Sequence, residues 1–129
     1  MEFRFYSINN KSVNKLEEYI NNYNEILREI IKDTGANKIL LIKEKSNIEK
    51  EIFNIVDKDM YEGVLSEDEF DNIGTEFKEK YLSSNLIKAS KLEDAYLDIL
   101  ECSFEGVETL KSIIKTAIKN KESLLFWIN

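Results

Sequence analysis

The sequence predicts a single α/β domain with about four strands in one mixed sheet, formed by two β-α-β units. Apolar and polar residues alternate over residues 2–7, which is the pattern of a half-buried strand. Five consecutive apolar residues, Leu124–Ile128, predict a strand that is buried on both faces. Helical apolar stripes occupy much of the intervening sequence, and a length of 129 residues suits one hydrophobic core.

The first β-α-β unit begins with the strand at residues 2–7. Ser12 is placed to cap a helix whose apolar residues recur every three or four positions, and Gly35 marks the end of that helix. A run of four apolar residues follows, which is too short for a helix but suits a strand covered on both faces. We therefore predict a central strand at residues 38–44.

Two capping boxes predict two helices in the middle of the chain. Ser46 and Glu49 have the spacing of the first box, and Ser66 and Glu69 have that of the second. The second helix would turn four apolar residues toward the core. These are Phe70, Ile73, Phe77 and Tyr81. We expect an acidic helix–loop–helix insertion over approximately residues 46–82, between the two β-α-β units.

The second β-α-β unit contains an ambiguous element at residues 95–104. These residues form a helix if Ser90 and Glu93 make a further capping box, but their apolar run also has the length of a strand. We predict a strand, followed by a helix at residues 106–120. Two such units in one sheet resemble the ferredoxin-like arrangement in outline. If residues 95–104 are helical, three strands remain in a small α/β layer.

The net charge of the chain comes from one stretch, Asp57–Glu79. This stretch contains nine acidic residues and two lysines, a net charge of −7. The whole chain has 25 acidic and 18 basic residues and also carries −7, so the other residues balance. The overall acidity argues against direct binding of nucleic acid, which depends on clustered lysine and arginine.

Apolar side chains are interleaved with these acids in a way that is typical of protein-binding surfaces. Charges of one sign steer an approaching partner, and aromatic or methionine side chains hold it. We predict that a basic protein partner binds here, although a solvated acidic face would by itself aid solubility. The predicted contact residues are Asp57, Asp59, Met60, Tyr61, Glu62, Glu67, Asp68, Glu69 and Asp71.

The composition argues against most catalytic sites. Without histidine there is no Ser–His or Cys–His nucleophile and no imidazole ligand for zinc. Cys102 lies in an apolar run, which favours an inert buried thiol. Asp98 and Glu101, in the third predicted strand, are the only candidate acids for proton transfer. We therefore predict no enzymatic activity, no cofactor and no specific metal site.

A calcium site is the alternative for the acidic stretch, because residues 57–68 resemble a distorted EF-hand loop. Gly63 occupies the seventh position of that loop, whereas an EF-hand requires glycine at the sixth. Tyr61 stands at the fifth position and Asp68 at the twelfth, where oxygen ligands and a bidentate glutamate belong. These departures predict non-specific binding of divalent cations rather than a calcium site.

A small acidic domain without a set of catalytic residues is best explained as a protein that neutralises a basic partner. Bacterial immunity proteins and antitoxins against nuclease toxins fit this profile, because their carboxylates occupy the surface where the toxin holds phosphates. A phage inhibitor of a nucleic-acid-binding host defence protein would use the same charges. The single cysteine and the lack of a long apolar segment predict a cytoplasmic protein without membrane attachment. A third alternative is a structural module that forms homo-oligomers through its C-terminal strand, although no pattern specifically indicates this.

Overall fold

The computed structural model describes residues 1–33, 35 and 37–129, which form one sheet with helices on both faces. The strands are β1 (Glu2–Ile8), β2 (Gly63–Ser66), β3 (Leu86–Ile87) and β4 (Ser123–Ile128). They lie in the order β2-β1-β4-β3, and each neighbouring pair is antiparallel. The α/β class and the four-stranded sheet are confirmed. The predicted mixed sheet of two parallel β-α-β units is wrong, because each hairpin of helices returns an antiparallel strand.

Six α-helices connect the strands in the described part of the chain. Between β1 and β2 lie α1 (Val13–Lys32) and α2 (Asn37–Ile55), which pack as a hairpin. Between β2 and β3 lie α3 (Glu67–Asp71) and α4 (Thr75–Phe77), and α4 continues into a π-helical turn (Lys78–Leu82). Between β3 and β4 lie α5 (Ala89–Ile99) and α6 (Val107–Asn120), a second hairpin. Among the described residues, no helix is long and apolar enough to cross a membrane.

The central strands β1 and β4 pair the two ends of the chain. Phe3 lies opposite Ile128, and backbone hydrogen bonds of 3.1 and 2.8 Å join Glu2 and Asn129 beyond the end of the ladder. The predictions of a strand at residues 2–7 and of a buried C-terminal strand are confirmed. Residues 123–127 are all buried, because helices cover both faces of β4.

Two hydrophobic clusters cover the two faces of the sheet. Phe3 and Phe126 belong to the cluster with α3, α4, α5 and α6. Tyr6 and Trp127 belong to the cluster with α1 and α2 on the opposite face. Successive side chains of a strand point to opposite faces, so each central strand contributes to both clusters. The result is three layers: helices, sheet and helices.

Helix α1 begins at the predicted residue, but it lacks the predicted side-chain cap and ends earlier than predicted. Ser12 precedes Val13, but the Ser12 side chain makes no capping hydrogen bond. The helix ends at Lys32, three residues before Gly35. The Gly35 amide donates a hydrogen bond of 2.7 Å to the carboxylate of Asp33, so a side chain closes the turn.

The predicted strand at residues 38–44 is wrong, because these residues belong to α2. The apolar run is not covered on two faces: Ile39 and Leu40 are 76% and 67% exposed. The predicted capping box at Ser46 lies inside the same helix. Ile48 and Ile52 extend a helical stripe into the cluster of α1 and α2, and no glycine or proline interrupts the helix.

The predicted strand at residues 95–104 is also wrong. The alternative of a helix is correct for residues 95–99, although α5 begins after Lys88 without the predicted capping box of Ser90 and Glu93 and ends at Ile99. Leu92, Ala95 and Ile99 are buried with the spacing of a helix face in α5. The fourth strand is instead β3, which has only two residues. Asn85 extends the pairing of β3, since its carbonyl accepts a hydrogen bond of 2.7 Å from the amide of Phe126.

The acidic insertion is part of the sheet and not a helix–loop–helix unit, because β2 lies in its middle. The predicted capping box at Ser66 is confirmed. Its hydroxyl accepts a hydrogen bond from the Glu69 amide at 3.2 Å, and the Glu69 carboxylate accepts one from the Ser66 amide at 3.0 Å. The single helix predicted after this box is wrong, because residues 72–74 interrupt it between α3 and α4, but its four apolar residues do face inward. Ile73, Phe77 and Tyr81 are buried, and the Phe70 ring stacks on Phe3 with centroids 4.0 Å apart.

Replacement of Gly63 by alanine tests how tightly β2 packs on α6. A Cβ atom at Gly63 would overlap with Cδ1 and Cγ1 of Ile113, a core residue of α6. We expect Gly63→Ala to lower the free energy of unfolding by about 1–3 kcal/mol, as overpacking does. Gly74→Ala is the matched control, because a Cβ there meets no atom within 4 Å. Equal urea midpoints for the two variants would contradict this packing.

Candidate functional site

The predicted contact residues lie at the two ends of β2, which is an edge strand of the sheet. The loop of residues 57–62 enters β2, and α3 leaves it. Four residues of extended strand span about 13 Å, so the two acidic groups are separated by roughly that distance. The structure brings both groups to one edge of the sheet but does not merge them into one cluster.

The carboxylates of this edge are exposed and uncompensated. Eight of the nine acidic residues in Asp57–Glu79 are exposed, and Glu69 is the half-buried one. The ion pairs found among the described residues use acids from other parts of the chain. Those acids are Glu2, Glu17, Asp98 and Glu108. The negative charge of Asp57–Glu79 therefore faces solvent without a described salt bridge.

The two lysines of the stretch lie over aromatic rings. The Lys58 ammonium is 5.4 Å from the ring centroid of Phe53, and the Lys78 ammonium is 4.5 Å from that of Phe70. Each ring attracts the cation through its quadrupole. Neither ammonium group forms a described ion pair with a carboxylate of the stretch.

The loop before β2 is fixed to β1 by hydrogen bonds. The Tyr6 hydroxyl donates to the carbonyl of Lys58 at 2.8 Å, and the Glu62 amide donates to the carbonyl of Phe5 at 2.8 Å. Burial raises the pKa of Tyr6 above its ordinary value, which already lies well above neutral pH, so the hydroxyl stays a hydrogen-bond donor. The loop therefore presents its acids in a defined conformation.

The two predicted anchors differ in how much side chain they offer to a partner. Met60 is 72% exposed, whereas Tyr61 is 39% exposed. The Tyr61 ring packs edge-on against Tyr6, with centroids 6.3 Å apart, and the Arg4 guanidinium lies 4.6 Å from its centroid. Met60 is therefore the freer apolar anchor, and Tyr61 mainly holds the loop.

Glu69 serves the local structure more than the surface. Its carboxylate completes the capping box with Ser66. Its side chain also packs against Gly106, where a Cβ would approach the Glu69 Cβ to 2.8 Å. Gly106 has φ of +92°, which favours glycine for a second reason. The remaining acids of α3, Glu67, Asp68 and Asp71, are exposed and carry the charge of this end of β2.

The geometry of the acidic stretch differs from that of an EF-hand. Gly63 begins an extended strand here, whereas the EF-hand glycine makes a sharp turn around the ion. Asp57 precedes that strand and Asp68 follows it, so the two carboxylates lie at opposite ends of the strand and do not converge on one ion. Within residues 1–33, 35 and 37–129, no three cysteine or acidic side chains are grouped closely enough to hold a metal ion.

Asp98 and Cys102 are placed differently from their predicted strand. The Asp98 carboxylate on α5 accepts hydrogen bonds from the Tyr81 hydroxyl at 2.6 Å and the Lys80 ammonium at 3.1 Å. These bonds hold the pKa of Asp98 below its ordinary value, whereas a proton-donating acid needs a raised pKa. Cys102 is exposed, so the prediction of a buried thiol is wrong. It follows the end of α5, as does the exposed Glu101.

The residues that hold the site in place were not predicted from the sequence. Arg4 and Tyr6 on β1 bind the loop, and Phe53 on α2 positions Lys58. The alternating pattern of the predicted first strand did include Arg4 and Tyr6, at alternate positions. Their polar atoms had no visible partner in the sequence, since that partner is a backbone carbonyl some fifty residues away.

Comparison of the chain with protein-family models, with curated proteins and with solved structures finds no match. The function therefore has to be inferred from the site itself. Its defining features are exposed carboxylates at both ends of an edge strand, a loop fixed to β1 and one highly exposed methionine.

Alanine variants of the two anchors should separate their roles. We expect Tyr61→Ala to lower the free energy of unfolding by about 1 kcal/mol, because it loses contacts with Tyr6 and Arg4. Met60→Ala is the matched control and should stay within about 0.5 kcal/mol of the parent protein, as exposed positions usually do. Urea unfolding followed by tryptophan fluorescence measures both. A larger loss for Met60→Ala would show that the loop is packed differently.

Proposed function

We propose that the protein is a non-enzymatic inhibitor that neutralises a basic protein partner, as an immunity protein or antitoxin neutralises a nuclease toxin. The observation that supports this proposal is the row of exposed carboxylates at the β2 edge, free of described ion pairs. A nuclease binds its substrate through lysine and arginine. Carboxylates presented on a fixed surface compete for the same cations.

The concentration of charge at one edge favours recognition over general solubility. Uncompensated charges of one sign raise the association rate of an oppositely charged partner, and salt weakens this effect. Charges beyond about 10 Å are screened at ordinary ionic strength. The two acidic groups, about 13 Å apart across β2, therefore act on separate parts of a partner surface. The association rate would be highest for a partner whose basic surface spans both acidic groups.

The apolar contribution would come from Met60. Its side chain is the most exposed large apolar group of the acidic stretch, and it lies between Asp59 and Tyr61 in the fixed loop. Methionine adapts to irregular surfaces and is enriched at protein interfaces. Steering by carboxylates and anchoring by one flexible apolar side chain together suit a protein–protein interface.

The acids also protect the edge strand. An unpaired edge invites pairing with a strand from another molecule, and charged residues beside it discourage such pairing. This role needs no partner, so it would explain the charge without any inhibitor function. The two roles differ in one measurable respect: only the inhibitor role predicts a specific basic partner with defined stoichiometry.

The proposed partner is a basic toxin, or a nucleic-acid-binding defence protein if the chain is a phage inhibitor. Both present cations that normally hold phosphate, so the same acidic surface serves either. We propose a cytoplasmic setting for this encounter. The exposed free thiol of Cys102 is compatible with a reducing compartment, where such thiols persist.

Charge reversal at one end of β2 tests the proposal. Glu67→Lys, Asp68→Lys and Asp71→Lys combined leave the capping residue Glu69 intact. We expect the association rate of the triple variant with a basic nuclease partner to be at least about tenfold lower, since electrostatic steering is reversed. Surface plasmon resonance against purified basic nuclease domains measures the rate. A polylysine of similar charge serves as the non-specific control.

A second triple variant controls for net charge. Glu18→Lys, Glu25→Lys and Glu93→Lys change the charge by the same amount at exposed positions of α1 and α5. This variant should keep most of the association rate, because its charges lie away from the β2 edge. Equal loss in both variants would show that net charge alone governs binding, and the proposed site would then be wrong. Circular dichroism confirms that both variants are folded.

A further inference from the structure

A pocket of about 270 Å³ lies at the other edge of the sheet, next to β3. Residues from α1, the π-helical turn, β3 and α5 line it. Its apolar part consists of Ile20, Leu86 and Ile87, which are all buried. The apolar part of the pocket thus comes from two separate segments of the chain, α1 and β3.

The charged residues at this pocket are mainly lysines, in contrast to the acidic character of the chain. Lys80, Lys88 and Lys91 line it, together with the acids Glu17 and Asp94. Lys88 is the N-cap of α5 and Lys91 lies in its first turn, which contains no acidic residue. The helix dipole places partial positive charge at that end, which adds to the charge of the lysines, whereas Glu17 and Asp94 offset part of it.

The lysines of the pocket are not all neutralised. The Lys88 ammonium lies 2.8 Å from the Glu17 carboxylate. The Lys80 ammonium lies 3.1 Å from Asp98, which is outside this pocket. Lys91 takes part in no ion pair found among the described residues. An anion in the pocket would bind Lys91 directly and would compete with Glu17 for Lys88.

We propose that this pocket binds a small organic anion with an apolar body, of the class of short-chain or aromatic carboxylates. The carboxylate lies between Lys88 and Lys91, and the apolar body lies against Ile20, Leu86 and Ile87. Charge-assisted hydrogen bonds hold the head group, and burial of apolar surface holds the body. This site is separate from the β2 edge and does not depend on the proposed inhibitor function.

The volume of the pocket limits the size of the ligand. Sites for drug-sized molecules have volumes of about 300–1,000 Å³, and this pocket is slightly smaller. Nucleotides and other large anions are therefore excluded as whole ligands. A carboxylate with a body of about six carbons fits the apolar part, and such a small ligand binds with an affinity of roughly millimolar order.

Titration with hexanoate, followed by amide chemical shifts, tests this inference. Saturable shifts are expected at Leu86, Ile87 and Lys91. Hexanamide, which has the same size without the charge, should bind at least about threefold more weakly, as expected for loss of an exposed charge interaction. Equal binding of hexanamide would show that the site does not select anions and would overturn the proposal.

Two variants assign the role of the charges. Lys91→Gln should weaken hexanoate binding about three- to tenfold, because it removes the unpaired cation. Glu17→Gln should strengthen binding, since it frees Lys88 from its partner. Lys115→Gln, at an exposed position of α6, is the matched control and should have no effect. Absence of saturable shifts in the parent protein, or equal effects of Lys91→Gln and Lys115→Gln, would overturn the proposal.

Discussion

The antiparallel pairing of β1 with β4 is the constraint on which the rest of the structure depends. It joins the two ends of the chain, from Glu2 with Asn129 to Ile8 with Ser123. Both strands carry large apolar side chains on both faces, so helices must cover each face. The hairpin of α1 and α2 covers one face, and α3 to α6 cover the other. The two short strands, β2 and β3, are thereby left at opposite edges of the sheet.

These two edges differ in charge, and this difference organises the surface. The β2 edge carries the exposed carboxylates of residues 57–71, and the two lysines of Asp57–Glu79 lie over the rings of Phe53 and Phe70. The β3 edge carries a lysine-lined pocket with an apolar part. Since exposed charges more than about 10 Å apart are largely screened, the two edges can attract different ligands. An acidic protein can therefore keep a local site for an anion.

Local patterns predicted those elements whose burial follows from their own sequence. The first strand, the last strand and the helices α1 and α6 have such patterns, and the capping box at Ser66 is present as predicted. The apolar run Ile39–Ile42 was wrongly predicted to be a buried strand. An apolar run need not be buried, and this one lies in an exposed part of α2. Strand β3 could not be predicted, since two residues give no periodicity. The acids of the site were predicted from charge, but their anchoring to β1 depends on tertiary contacts.

The central claim is that a basic partner binds the β2 edge. Amide hydrogen exchange of the protein with and without a purified basic nuclease partner tests this claim most directly. Slower exchange is expected at residues 57–71, with residues 85–91 at the opposite edge unchanged. The exposed apolar side chains Ile31, Ile39 and Leu40 lie in the hairpin of α1 and α2, away from that edge. Protection confined to that hairpin, with residues 57–71 unchanged, would contradict the account.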